Sequence, residues 1–133
     1  MNSATFVWRH RVTYSECTIG NHVYYARYLD ILEAARGEFF RKLGKTFTQW
    51  QEEGAIFPVV EVHLVYKRMA RYDDELAIEV SVADAGMARL TFAYRLLDAA
   101  GRMLVQGTTM HACTDEAGKP RRLPDELRSM FKD

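Results

Sequence analysis

The stretch YYARYLDILEAARGEFFRKL, Tyr24 to Leu43, decides the fold. Tyr25, Leu29, Leu32, Phe39 or Phe40, and Leu43 recur at helical spacing and give one apolar stripe. Gly44 supplies a C-terminal stop, and Arg41 and Lys42 complement the dipole in the last turn. A helix of this length rises about 30 Å, long for so small a chain. A strand precedes it: Phe6, Trp8, His10, Val12 and Tyr14 alternate with Arg9, Arg11, Thr13 and Ser15. Glu16 to His22 reads as a loop with a Gly20-Asn21 turn signal. After the helix, Thr46 to Glu53 reads as a second, short helix ended by Gly54.

Four more strands follow. Val60, Val62, Leu64 and Tyr66 alternate with Glu61, His63 and Lys67. Leu76, Ile78, Val80 and Val82 form the next apolar face, then Leu90, Phe92, Tyr94 and Leu96. Met103 to Cys113 is the last strand, and Leu123 to Phe131 a terminal helix. Turns at Tyr72-Asp73-Asp74, Asp84-Ala85-Gly86 and Asp98 to Gly101 are short enough to predict antiparallel hairpins. The fold class is therefore α+β: a five-stranded antiparallel sheet wrapped around one long central helix. A cystatin-type roll is the alternative, but it starts with its helix, and here a strong strand comes first.

The chain has 133 residues, read as one domain over 1–133. Its 18 basic and 18 acidic residues cancel, which argues against a nucleic-acid partner. Apolar residues make up 48%, enough for a core and too many for a disordered chain. No apolar run reaches membrane-span length, so no membrane partner is expected. Met1 to Arg11 lacks an apolar signal core, so the expected compartment is the cytoplasm. Cys17 and Cys113 read as reduced thiols rather than a disulfide framework. No HxxxH or HxH spacing, GxGxxG or P-loop occurs, so neither a metal nor a nucleotide-type cofactor is expected.

Several segments carry a resemblance. Val12-Thr13-Tyr14-Ser15-Glu16 leads to His22-Val23-Tyr24-Tyr25-Ala26-Arg27-Tyr28-Leu29; Tyr72-Asp73-Asp74-Glu75-Leu76 follows in a hairpin. Gly107-Thr108-Thr109-Met110-His111-Ala112 and Gly118-Lys119-Pro120-Arg121-Arg122-Leu123-Pro124 complete the set. In this order the chain resembles the hot-dog-fold acyl-CoA thioesterases of the 4-hydroxybenzoyl-CoA thioesterase group, over nearly its whole length. The resemblance implies hydrolysis of an acyl-CoA thioester, no cofactor, and a homodimer or homotetramer with active sites at subunit interfaces. Alternatives are a thioesterase acting on an acyl-carrier protein in a polyketide or fatty-acyl pathway, and a non-catalytic acyl-thioester binder. The family places its catalytic Asp where this sequence has Thr18, and Gly where it has Asn21. The thioesterases of enediyne polyketide pathways also lack that acid; an Arg in their helix matches Arg36 in spacing.

Thr18 is thus either a turn-forming loop residue or a hydroxyl that holds water or the substrate carbonyl; unaided it cannot serve as a base. Tyr24 and Tyr25 are expected to open the helix, where free backbone amides meet the positive dipole end. The resemblance assigns the Tyr25 amide to the oxyanion. His22 either caps and packs, or orients the loop or the water. Glu33 and Arg36 are one turn apart and expected to pair, structurally or with Glu33 activating water and Arg36 orienting it. Asn21 and Tyr24 would border the substrate, and Glu61 and His63 would reach the site from a partner subunit. Lys67, Arg68, Arg121 and Arg122 are the candidate contacts for CoA phosphates.

Overall fold

A computed structural model describes residues 5–131. Its strands are β1 (Phe6–Arg11), β2 (Cys17–Thr18), β3 (His22–Val23), β4 (Val59–Tyr66), β5 (Glu75–Ala85), β6 (Arg89–Leu97) and β7 (Met103–Ala112). Its helices are α1 (Arg27–Leu43), α2 (Phe47–Glu52) and α3 (Asp125–Met130). The main sheet has five strands in the order β1-β5-β6-β7-β4, every pair antiparallel. Hairpin turns join β5 to β6 and β6 to β7, as short connections dictate. The outer strands β1 and β4 are reached by the segments carrying α1 and α2.

α1 packs on the sheet across β1 and β5. Its buried residues are Tyr28, Ile31, Leu32, Ala35, Phe39 and Phe40. Leu76, Ile78, Val80, Leu90, Phe92 and Leu96 meet them from β5 and β6, each essentially without solvent contact. Aromatic rings tie the layers together: Phe40 lies 5.6 Å from Phe92 and stacks on Phe47 at 4.3 Å. Gly44 ends α1 at φ 107°, a conformation that side-chain-bearing residues rarely adopt. α2 opens with a capping box. Thr46 Oγ1 accepts from the Gln49 amide at 3.2 Å, and Gln49 Oε1 accepts from the Thr46 amide at 2.7 Å.

Five sequence expectations change. The long helix starts at Arg27, and Tyr24 to Ala26 form a turn ahead of it. Its buried stripe runs through Tyr28 and Ile31, so Tyr25 (62% exposed) and Leu29 fall outside it. The first strand ends at Arg11; Tyr14–Glu16 form a single 3₁₀ turn that leaves Tyr14 in solvent. The expected loop from Glu16 to His22 contains the β2–β3 hairpin. β5 continues through Asp84 and Ala85, with a register shift between Val82 and Asp84, so its turn falls at Gly86.

β4 is an edge strand of the main sheet. The expected alternation gives no buried face here: Val60 and Val62 are 52% and 43% exposed, Tyr66 is 44% exposed, and the register shifts between Val59 and Glu61. It is nonetheless held tightly to β7. A Cβ built on Gly107 would lie 1.9 Å from the His63 carbonyl oxygen, so no larger residue fits without moving backbone.

Candidate active site at the entrance to α1

The site begins with a small hairpin. β2 and β3 pair Cys17 with Val23 and Thr18 with His22, and the Asn21 amide donates to the Thr18 carbonyl at 3.0 Å. Gly20 and Asn21 make the reversal with φ of 94° and 60°, which suits Gly and is tolerated by Asn. The hairpin is pinned from two sides. The Val23 amide donates to the Ala70 carbonyl at 2.9 Å, and the Tyr24 amide to the Glu16 carbonyl at 2.9 Å. The Glu16 carboxylate is itself occupied by His10 Nε2 at 2.9 Å and the Thr13 amide at 2.8 Å. This acid, the nearest in sequence to Thr18, is committed to the chain around it.

A cavity of about 500 Å³ opens beside this hairpin. Thr18, His22, Tyr24 and Tyr25 line it from one side, and Tyr66, Lys67, Arg68 and Met69 from the other. Its aromatic wall is continuous: Tyr24 and Tyr25 centroids lie 4.9 Å apart, and Tyr28 and Tyr66 5.4 Å. Tyr66 Oη donates to the Tyr25 carbonyl at 3.0 Å, and Tyr28 Oη accepts the Ala70 amide at 3.0 Å. The Ala26 N-cap of α1 offers no side-chain acceptor. Among the described residues the Tyr25 amide has no acceptor either. A free N–H at the positive end of a helix suits a carbonyl oxygen gaining negative charge.

Protonation follows from the partners. His22 Nδ1 lies 3.2 Å from the Val23 carbonyl, which can only accept, so Nδ1 donates there and Nε2 is the ring nitrogen left to face other partners. Burial raises the Tyr28 and Tyr66 hydroxyls above their usual range, so both remain donors at neutral pH. Desolvation also raises the Cys17 thiol, which argues against a thiolate nucleophile. Among the described residues, no three His, Cys, Asp or Glu side chains gather as metal ligands would.

The family model described as "Thioesterase-like superfamily" matches residues 12–131. The chain belongs to that superfamily. It is 31% identical to the acyl-CoA thioester hydrolase YbgC of Escherichia coli over 133 residues, covering 99% of each chain. It is 35% identical to the acyl-CoA thioesterase YbgC of Haemophilus influenzae over 123 residues, 91% of this chain and 90% of the relative. The probable thioesterase from Bartonella henselae matches at a TM-score of 0.84 with 31% identity, over 91% of this chain and 100% of that one. The five-stranded antiparallel sheet and long helix are thus the hot-dog fold expected of this superfamily.

Within this thioesterase-like chain the expected site residues separate into groups. Thr18, His22, Tyr24, Tyr25, Lys67 and Arg68 share the cavity at the α1 entrance. Asn21 lines a neighbouring surface cavity with Tyr14, Thr18 and Ile19. Glu33 and Arg36 line a third cavity farther along α1. At helical rise they stand roughly 12 and 16 Å beyond Tyr25, so one protomer does not bring them to the Tyr25 amide. They also do not pair, since no ion pair within 4.0 Å joins them. Instead Arg36 Nη1 donates to Tyr94 Oη at 3.1 Å. Glu61 and His63 lie on the exposed edge strand β4, and Arg121 and Arg122 sit in a separate cavity with Asp125.

Sequence reading missed Tyr28, Tyr66 and Met69 at the first cavity, and the buried set Tyr94, Thr109 and His111 behind Arg36. Tyr66 carried a signal, because it ends an apolar alternation with a hydroxyl. Thr109 and His111 carried another: two polar residues on one face of a strand whose other neighbours are apolar.

Proposed function

We propose that this protein is a thioesterase that hydrolyses acyl-CoA at the cavity beside the α1 entrance. The unpaired amide of Tyr25, a residue that lines the tyrosine-walled cavity, carries this reading. The thioester carbonyl oxygen accepts from that amide. Water attacks the carbonyl carbon, and His22 Nε2 takes the proton. The tetrahedral oxyanion is held by Tyr25 N–H, a donor worth on the order of 3 kcal/mol to a transition state. The C–S bond then breaks, and the imidazolium returns the proton to the leaving sulfur, giving a free acid and CoA thiol. Thr18, opposite His22 in the hairpin, positions the water with its hydroxyl. Lys67 and Arg68, at the cavity rim, meet the CoA phosphates as charge partners.

The same reading includes a homodimer joined through β4. That strand is a sheet edge whose backbone groups are free along one side, with valines exposed on both faces. Edge strands of this kind are normally blunted by charge or covered. A second copy of β4 would cover both the backbone edge and the valines, and would bring Glu61 and His63 to the seam.

Thiol release from a panel of short, long and aromatic acyl-CoAs tests the proposal. The wild-type protein turns over at least one of them, and His22→Ala lowers kcat by about a hundredfold, the usual size of a lost general base. Tight acyl-CoA binding with no turnover of any member would overturn the hydrolase reading.

A further inference from the structure

The third cavity, about 320 Å³ in volume, lies between α1, α2 and the segment leading to β4. Phe47, Ile56 and Phe57 make it largely apolar, with Glu33, Arg36 and Gln51 at its polar side. Arg36 is half-buried there and, among the described residues, has no carboxylate within 4.0 Å. Among the described residues its one side-chain hydrogen bond goes to Tyr94 Oη, and its guanidinium stands 5.9 Å from the Phe92 ring centroid. A guanidinium has five N–H groups in a fixed fork, so most remain unspent.

What holds Arg36 is a buried chain whose direction is forced. His111 Nδ1 lies 2.9 Å from the Phe57 carbonyl, so Nδ1 donates. His111 Nε2 must then accept, from Thr109 Oγ1 at 2.9 Å. With that proton committed, Thr109 Oγ1 accepts from Tyr94 Oη at 2.6 Å, and Tyr94 Oη accepts from Arg36. Tyr94, Thr109 and His111 are each at most 2% exposed. The chain starts and ends on the wall of one cavity, at Phe57 and Arg36. Polar groups buried this deeply stabilise little by themselves, but a fully satisfied network fixes geometry. Here it fixes a cation with no counter-ion at the edge of an apolar cavity.

We infer that this cavity is a subsite for an acyl group whose far end is a carboxylate, with Arg36 as the specificity-determining contact and Tyr94, Thr109 and His111 as positioning residues. The inference rests on the thioesterase reading and its β4 seam, where antiparallel pairing of two copies sets the start of one β4, beside this cavity, toward the Tyr66 end of the other and the Tyr25 amide it anchors; it names the substrate class, monothioesters of dicarboxylic acids. The carboxylate supplies the charge Arg36 lacks and matches its fork bidentately. Phe47, Ile56 and Phe57 cover the methylenes. Glu33 is exposed, so water screens its repulsion of the incoming anion.

The test compares CoA monothioesters of dicarboxylic acids, from succinyl to dodecanedioyl, with alkanoyl-CoAs of equal length. At one or more lengths the carboxylate form has a kcat/KM higher by about tenfold, the scale of one charge-assisted contact. Arg36→Gln brings that ratio to about one, and Arg36→Lys restores part of it. Tyr94→Phe raises KM for the carboxylate series more than it changes kcat. No preference at any length, or an Arg36→Gln variant that keeps the wild-type ratio, overturns the inference while leaving the hydrolase intact. If no acyl-CoA is hydrolysed, calorimetry with the free dicarboxylates reads the cavity directly. Binding that Arg36→Gln abolishes supports the subsite, and equal binding of monocarboxylates overturns it.

Discussion

Tyr66 Oη donates to the carbonyl of Tyr25 at 3.0 Å, so the last residue of the edge strand fixes the peptide that opens α1. The same residue whose N–H is free for substrate has its C=O anchored by a side chain from across the cavity. Tyr66→Phe removes the anchor and keeps the ring. Its expected cost is about 1 kcal/mol of stability, the net value of an ordinary hydrogen bond. The larger effect is on kcat, several-fold down, because the oxyanion donor loses its fixed orientation. Thiol-release kinetics beside a thermal melt separates the two; an unchanged kcat would show that Tyr25 is held by other means.

His111 predicts an acid-sensitive fold. Burial lowers its pKa to about 4, with Arg36 adding to the shift and the Phe57 carbonyl opposing it. Above about pH 6.5 the ring is neutral folded or unfolded, and it contributes no pH dependence. As pH falls from there, the unfolded chain binds the proton first, so stability drops until the folded ring also protonates near pH 4. The span corresponds to roughly 3 kcal/mol at 1.36 kcal/mol per pKa unit. Denaturant melts between pH 4 and 7 should show this slope, and His111→Gln should flatten it.

How much of this was legible differs by element. The long helix was, because a 3.6-residue period over so many residues has no competing reading. Its phase was not: Tyr25 and Leu29 satisfy helical spacing as well as Tyr28 and Ile31, and only the sheet decides which stripe is inside. β2 and β3 were invisible, since two-residue strands carry no period. Thr18, His22 and the Tyr25 amide were found together because they are close in sequence. Tyr66 joins them from 41 residues away, through a strand register that sequence does not state. The Arg36 to His111 chain was hidden for the same reason: it needs β6 and β7 aligned so that Phe92 faces Thr109. The expected Glu33–Arg36 pair gave way to that chain.

Two glycines should respond in opposite directions. Gly107→Ala puts a methyl 1.9 Å from the His63 carbonyl oxygen, and backbone cannot yield as a flexible side chain does. The expected loss is about 3 kcal/mol or more, with β4 detaching from β7. Gly37→Ala, in the middle of α1 with nothing within 4 Å of the new methyl, should stabilise by about 0.5–1 kcal/mol. Urea midpoints of the two variants against wild type check both signs.

Lys67 and Arg68 both donate their amides to the Leu104 carbonyl, at 2.7 and 3.1 Å, so their backbones are fixed at the cavity rim, and among the described residues neither side chain has an ion-pair partner. Replacing both with Ala should raise KM for acyl-CoA by about tenfold or more, and added salt should raise the wild-type KM towards it. The matching thioester of pantetheine, which lacks the phosphates, should show little difference between the two proteins. Equal losses on both substrates would assign these residues to the thioester end instead.

The exposed valines of β4 lead to the last prediction. Val62 pairs with Thr109 on its inner neighbour, and among the described residues its strand has no partner on the other side. A buried Val is worth about 1.5–3 kcal/mol relative to an exposed one, so covering Val60 and Val62 from both copies gives a driving force that a polar edge would lack. Lys at such a position is the common natural device against edge pairing, because its charge must stay in water. Val62→Lys should therefore leave the protomer folded, with a far-ultraviolet spectrum like wild type, and shift the sedimenting species from dimer to monomer. Activity should fall with the dimer if Glu61 and His63 reach the site across the seam, and a monomeric wild-type protein would remove the seam altogether.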